Sequence, residues 1–203
     1  PVMRRFGARG LRRGEFIRDI PAQGRTSCYD RCMIYLSQDY IGELPKQHIS
    51  LGKFDPDNIP ADPNELFATW FKEAVENEVG DPTAVTVATV DDNGQPDARV
   101  VDLLYLNSDG FHFGTATGTA KVDQLEKSWA AALNFWWQPM RRAVRIRGAA
   151  SRVVDGDRFN LWRVEPNHFE FFNLWDDRSN SDRVAYVLND HGDWDRVRIM
   201  PRP

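Results

Sequence analysis

Cysteine is nearly absent: Cys28 and Cys32 are the only two in 203 residues. Their four-residue spacing would place both on one helix face, too few for a zinc site and a poor disulfide pattern, so they read as two thiols of a reducing cytoplasm. No apolar run approaches the roughly 20 residues that span a bilayer, and the N-terminus lacks the apolar core of a signal peptide. A membrane is therefore not expected as a partner. Nor is nucleic acid, because the net charge is only -4. There is no phosphate-binding P-loop, no Ser/His/Asp spacing and no metal-ligand cluster. The four histidines, His48, His112, His168 and His191, are scattered and read as surface or satisfied structural groups.

What remains is a chain with 41% hydrophobic and 12% aromatic residues, enough for one domain with a real core. Its centre is the stretch from Ala84 to Gly148. Apolar residues alternate in VTVATV, RVVDLLYL and GFHFGTAT, the pattern of half-buried strands. Asn93-Gly94 and Asp109-Gly110 are hairpin signals, because these residues tolerate positive φ. The block predicts four or five strands with one helix between them, closed as an antiparallel barrel, with the chemistry on its rim.

Residues 1 to 58 show little pattern and predict an arm, preceding a domain over 59 to 203. Asp62 predicts a helix N-cap, with Pro63 at the first helical position and Glu65 completing a capping box. Leu66, Phe67, Trp70, Phe71 and Ala74 then share one face, and Gly80 reads as the end. After the barrel block, Asp157 to Arg163 reads as a short helix. His168–Leu174, Arg183–Leu188 and Trp194–Met200 read as strands.

Three groups of donors sit on this framework: Arg99 on the second strand, the turn Thr115–Lys121, and Arg141-Arg142 before a strand. The turn has two readings. It is an ordinary capped helix with an exposed lysine, or a phosphate site in which small residues admit the ligand, Thr119 donates a hydroxyl and Lys121 a charge. The neighbouring arginine favours the second.

The blocks IPADPNELFATWFKEAVE, ATVDDNGQPDARVV, DGFHFGTATGTAK, LNFWWQPMRRAVRIRG, FEFFNLWDDRSNSDR and WDRVRIMP occur in the order that resembles the pyridoxine/pyridoxamine 5′-phosphate oxidases. The resemblance implies a mainly β fold with flanking helices, an FMN-binding split barrel, and a homodimer that builds the flavin site from both subunits. Phe135, Trp136 and Trp137 are candidates for either that interface or the core. By resemblance, Arg99 opens the second strand and Val100 and Val101 lie along the flavin ring. Thr115 follows the third strand, and Thr119 and Lys121 remain from a Ser-Arg-Lys phosphate clamp whose arginine is Ala120. Arg142 precedes the family's glutamine, here Ala143. Phe172 stands for a tryptophan, and Arg183 closes an Arg-x-His-Asp-Arg motif. On the substrate side, Arg4 and Arg5 match an N-terminal contact segment, Ser181 replaces the motif's histidine, and its first arginine falls on Ser179 or Arg178.

Several positions depart from the family. A strand lysine is Leu104, and Glu165 precedes Pro166 where the resemblance sets an Arg-Pro pair. A long family connection is missing after Asn167. The phosphate side is thus better kept than the substrate side. The expectation is an FMN-dependent oxidoreductase, with catalytic residues unassigned, acting on a small molecule other than pyridoxamine phosphate. A weakly flavin-binding, non-catalytic barrel and a true pyridoxamine phosphate oxidase with a rebuilt pocket are the alternatives.

Overall fold

The computed structural model describes residues 48–51, 54–176 and 178–199. They fall in one unit that begins at Lys46. The expected arm therefore lies, but for its last residues, outside the described residues, as do Cys28, Cys32, Arg4 and Arg5. Of its last part, Phe54 is buried edge-on against Trp70, and the Ile49 amide donates to the Pro139 carbonyl at 2.6 Å.

Helix α1 spans Pro63–Glu76. The Asp62 carboxylate accepts from the Asn64 amide at 2.8 Å, which satisfies one free donor of the first turn. The helix stops at Asn77 rather than at Gly80. The Asn77 side chain donates back to the Glu73 carbonyl, and Glu78 takes a φ of 54°. A side chain that terminates the helix itself made the glycine unnecessary.

The strands are β1 (Ala84–Val90), β2 (Pro96–Asn107), β3 (Gly110–Ala116), β4 (Ala130–Trp137), β5 (Arg142–Asp155), β6 (Phe159–Leu174), β7 (Ser181–Leu188) and β8 (Trp194–Arg198). Helix α2 (Ala120–Ser128) joins β3 to β4. All pairings are antiparallel in the order β3-β2-β1-β4-β5-β6-β7-β8, and β3 also pairs with β6. That last ladder closes six strands into a barrel, as expected of the split-barrel class, with β7 and β8 extending from its wall. Among the described residues no helix is long and apolar enough to cross a membrane.

The expected helix at Asp157–Arg163 is instead a turn and the start of β6. Phe159-Asn160-Leu161-Trp162 alternates outward and inward, and it pairs with β3 on one side and β5 on the other. The final strand ends at Arg198, and Met200 lies outside the described residues.

Inward side chains of period two fill the barrel: Val85, Val87, Leu133, Phe135, Val144, Ile146, Trp162, Val164, Phe169 and Phe171 are all at most 1% exposed. The apolar stripe of α1 covers this core. Phe67 sets its ring 4.9 Å from Phe111 and 4.9 Å from Phe135, and Trp70 lies 5.3 Å from Phe171. Full burial of such a ring contributes about 2–3 kcal/mol. Phe135 and Trp137 are thus core residues, while Trp136 between them points outward at 46% exposure.

β6 carries one irregularity of consequence. Its register against β5 shifts at Asn167, so that Gly148 faces Pro166 and Arg147 faces His168. A Cβ on Gly148 would stand 1.8 Å from the Glu165 carbonyl oxygen, which makes glycine obligatory opposite this bulge.

Candidate functional site

Arg99 leaves β2 opposite Val87. Two residues earlier on the same strand face stands Asp97. Both terminal nitrogens of the Arg99 guanidinium are engaged: Nη1 donates to Thr89 Oγ1 at 2.6 Å and the Val87 carbonyl at 3.3 Å, and Nη2 to Asp97 Oδ2 at 2.5 Å and Gln124 Oε1 at 3.1 Å. The Arg99 charge beside Asp97 holds that carboxyl below the ordinary carboxylate range.

Beside it, the buried Thr115 stands one residue before the end of β3, and the chain turns through Gly118 at a φ of +70° into α2. Thr119 is the N-cap by position, but its hydroxyl donates to the Ala116 carbonyl at 3.1 Å instead of capping the helix. Lys121 on the first turn folds back over this loop. Its Nζ donates to Thr115 Oγ1 at 2.9 Å and Thr119 Oγ1 at 3.4 Å. Burial lowers the Lys121 pKa, and the Arg99 charge lowers it further, opposed by Asp97. The structure therefore brings Arg99, Thr115, Thr119 and Lys121 together. Two cations held this close repel one another, and an anion placed between them relieves that repulsion. Val100 is 67% exposed on the adjoining strand and Val101 is half-buried.

Arg183 and Phe172 belong to a second group, on the outer wall of β4–β7. With Asn134, Ala143, Arg145 and Glu170 they line a cavity of about 190 Å³. The Arg183 guanidinium lies over the Phe172 ring, 5.0 Å from its centroid. Glu170 is buried and binds both Arg145 and, at 3.5 Å, Arg183 Nε. A neighbouring cavity of about 480 Å³ shares Asn134, Arg145 and Glu170 and adds Arg147 and His168, whose pKa burial lowers.

Other expected site residues are engaged elsewhere. Arg142 turns into the core: it is ion-paired to Glu73, donates to Asn173 at 3.2 Å and covers the Trp70 ring at 4.5 Å. Its neighbour Arg141 donates to the carbonyls of Trp175 and Asp176. Arg178 is exposed in the β6–β7 turn with a φ of 59°. Ser181 opens β7, its amide donating to Asn180. Glu165 is exposed on β6, 3.8 Å from Arg163. Among the described residues no group of three His, Cys, Asp or Glu could hold a metal.

Sequence reading missed Asp97, Thr89 and Gln124. The first carried a signal: an acidic residue at i−2 to a strand arginine shares its face. Gln124 lies one helical turn beyond Lys121 and so shares its face of α2. Thr89 gave no cue.

The sequence pattern of the family described as pyridoxamine 5′-phosphate oxidase matches residues 71–189. A pyridoxine/pyridoxamine 5′-phosphate oxidase of Aliivibrio fischeri is 38% identical over 140 residues, 69% of this chain and 66% of that protein, so the chain spans just under two-thirds of the relative. A namesake from Rippkaea orientalis is 37% identical over 198 positions, covering 71% of this chain and 92% of the relative. Since 71% of 203 is about 144, roughly 50 of those positions belong to the relative alone. β6 runs unbroken through Pro166 and Asn167. Asn167 itself has no ladder partner: β5 pairs with Pro166 and His168 on either side of it, β3 pairing ends at Val164 and β7 pairing begins at His168, so the missing connection falls at the bulge. The fold is also that of two solved structures. PhzG from Burkholderia lata, in complex with tetrahydrophenazine-1-carboxylic acid, has a TM-score of 0.67 at 20% identity, covering 77% of this chain and all of that one. A pyridoxamine 5′-phosphate oxidase-related, FMN-binding protein from Nostoc punctiforme has 0.61 at 17%, covering 70% of this chain and all of that one.

Proposed function

The chain belongs to the pyridoxamine 5′-phosphate oxidase family, and from that premise we propose that it is an FMN-dependent oxidoreductase whose substrate is not pyridoxamine phosphate. The observation that carries the reading is the convergence of Lys121 on Thr115 and Thr119 beside Arg99. The donor set fits a phosphate monoester: two cations, two hydroxyls and a small turn through Gly118 that leaves open space. Bound FMN would supply hydride acceptance from the substrate, with dioxygen or a redox partner restoring it.

The chain's own residues would bind and orient. Arg99 and Lys121 would hold the phosphate, and Thr115 and Thr119 would fix its position. Val100 and Val101 would offer an apolar edge to the ring. Arg183, held by Glu170 and stacked on Phe172, would present a cation at the other group. The phosphate group lies around α2 and the Arg183 group on the wall of β4–β7, an arrangement suited to a homodimer in which each protomer completes its partner's site. Ser181, Leu104 and Ala143, which stand where the family resemblance has a histidine, a lysine and a glutamine, support a changed substrate.

The second reading, a true pyridoxamine phosphate oxidase, is favoured by the names of relatives at 37–38% identity. One preparation separates the two. The purified protein is titrated with FMN, and the loaded protein is assayed with pyridoxamine phosphate and with a panel of amines, alcohols and reduced heterocycles. Flavin uptake with reduction by a panel member alone supports the first reading. Pyridoxal phosphate formation supports the second, and failure to take up FMN removes both.

A further inference from the structure

Of the four acceptors around Arg99, Asp97 alone carries a charge. Thr89 is 2% exposed and its hydroxyl donates onward to Gln124 at 2.5 Å, so it is fixed. The Val87 carbonyl belongs to the β1 backbone, and Gln124 is half-buried on α2. The Asp97 side chain, by contrast, is 50% exposed near the start of β2, and its other oxygen accepts from the neighbouring Ala98 amide at 2.8 Å. Its carboxylate oxygen Oδ2 lies against Arg99 Nη2, and Gln124 Nε2 approaches the same oxygen at 3.5 Å. Ionised groups facing it are Arg99 and Lys121. The cluster therefore carries a net charge of about one where the two cations alone would give two.

We propose that Asp97 is a resident competitor for the phosphate arginine, which occupies Arg99 in the absence of ligand and weakens the selection of phosphorylated over unphosphorylated flavin. This rests on the FMN reading above and adds a specificity-determining residue to it. An anion must displace the carboxylate before Arg99 can bind it, and the displaced carboxylate stays near enough to repel a phosphate dianion. The opposite role is also well defined: an acidic residue that merely aims the arginine would help binding, and its removal would harm it. The two roles predict opposite signs.

The test is Asp97→Asn in the full chain, with Asp97→Ser as a second variant, each titrated with FMN and with riboflavin by flavin fluorescence. Asparagine keeps the shape and removes the charge. The expected result is FMN binding tighter by about tenfold, the scale of one partly exposed charge contact beside a dianion, with riboflavin affinity unchanged. Weaker FMN binding, no change, or an equal gain for riboflavin would overturn the proposal. Should the unmodified protein bind neither flavin, the FMN reading fails separately. Inorganic phosphate then serves as the probe: a larger phosphate-induced rise in melting temperature for Asp97→Asn sustains competition at Arg99, and an equal or smaller rise ends it.

Discussion

The ion pair between Arg142 and Glu73 makes an asymmetric prediction. The Arg142 side chain is 7% exposed, whereas that of Glu73 is 37% exposed. Glu73→Ala would strand a buried guanidinium with only Asn173 and the Trp70 face as partners. Removing one member of a buried pair costs about 3–5 kcal/mol when the charge left behind cannot reach water. The lower end, about 3 kcal/mol, applies here because Asn173 and Trp70 remain. Arg142→Met leaves a carboxylate that water can reach. It keeps an apolar stem over Trp70 and loses one hydrogen bond and one cation–π contact, together about 1–2 kcal/mol. At about 2–4 °C per kcal/mol, Glu73→Ala should lower the melting temperature by about 6–12 °C and Arg142→Met by about 2–8 °C, the smaller loss at any one slope. Differential scanning calorimetry gives the order directly. FMN affinity of folded Arg142→Met should match the parent, because its side chain points into the core. A larger loss for Arg142→Met, or a selective loss of FMN binding by it, would refute the reasoning.

Lys121→Met should weaken FMN by about 10- to 100-fold, the scale of a charge-assisted hydrogen bond, and leave riboflavin unchanged in the same titration. Only the ammonium form binds phosphate, and burial lowers the Lys121 pKa from 10.5; FMN affinity should therefore fall as pH rises through a value below 10.5, and that limb should vanish in Lys121→Met. Tyr186 donates to the Pro60 carbonyl at 2.7 Å, and burial pushes its pKa from 10.0 up to about 12. The folded state thus favours the neutral phenol, so stability present below pH 10 is lost as pH rises toward 12, a slope that Tyr186→Phe should remove in denaturant titrations. Gly148→Ala should cost more than about 3 kcal/mol, because its Cβ meets backbone on the facing strand, and circular dichroism melting reads the loss.

Local signals found most of the architecture. Asn93-Gly94 turns the β1–β2 hairpin, with Gly94 at a φ of 75°, and Asp62-Pro63 starts α1. The helix expected at Asp157–Arg163 failed because a run of seven residues cannot distinguish a turn followed by a doubly paired strand from about two helical turns. Its pairing with β5 and with β3, the latter more than forty residues away, decides it. The phosphate turn was legible because its residues are contiguous and small. Arg142 was not: its partner Glu73 is 69 positions distant, and nothing in an Arg-Arg pair tells that both are buried or what each one meets. Asp97 was overlooked although its two-residue spacing from Arg99 was in plain view, because a carboxylate is not an expected neighbour of a phosphate site.

β6 is held on one edge by β5 along nearly its whole length, and on the other first by β3 and then by β7. It is therefore both the seam that shuts the ring and the root of the outer hairpin. A nick in the turn at 156–158 would leave β1–β5 under α1 with the ring open, and β6–β8 as a three-stranded sheet parted from the helix and strands on which Phe169 and Phe171 pack. The two pieces should regain a melting transition only when mixed, which makes this turn a natural site for splitting the protein into complementing halves.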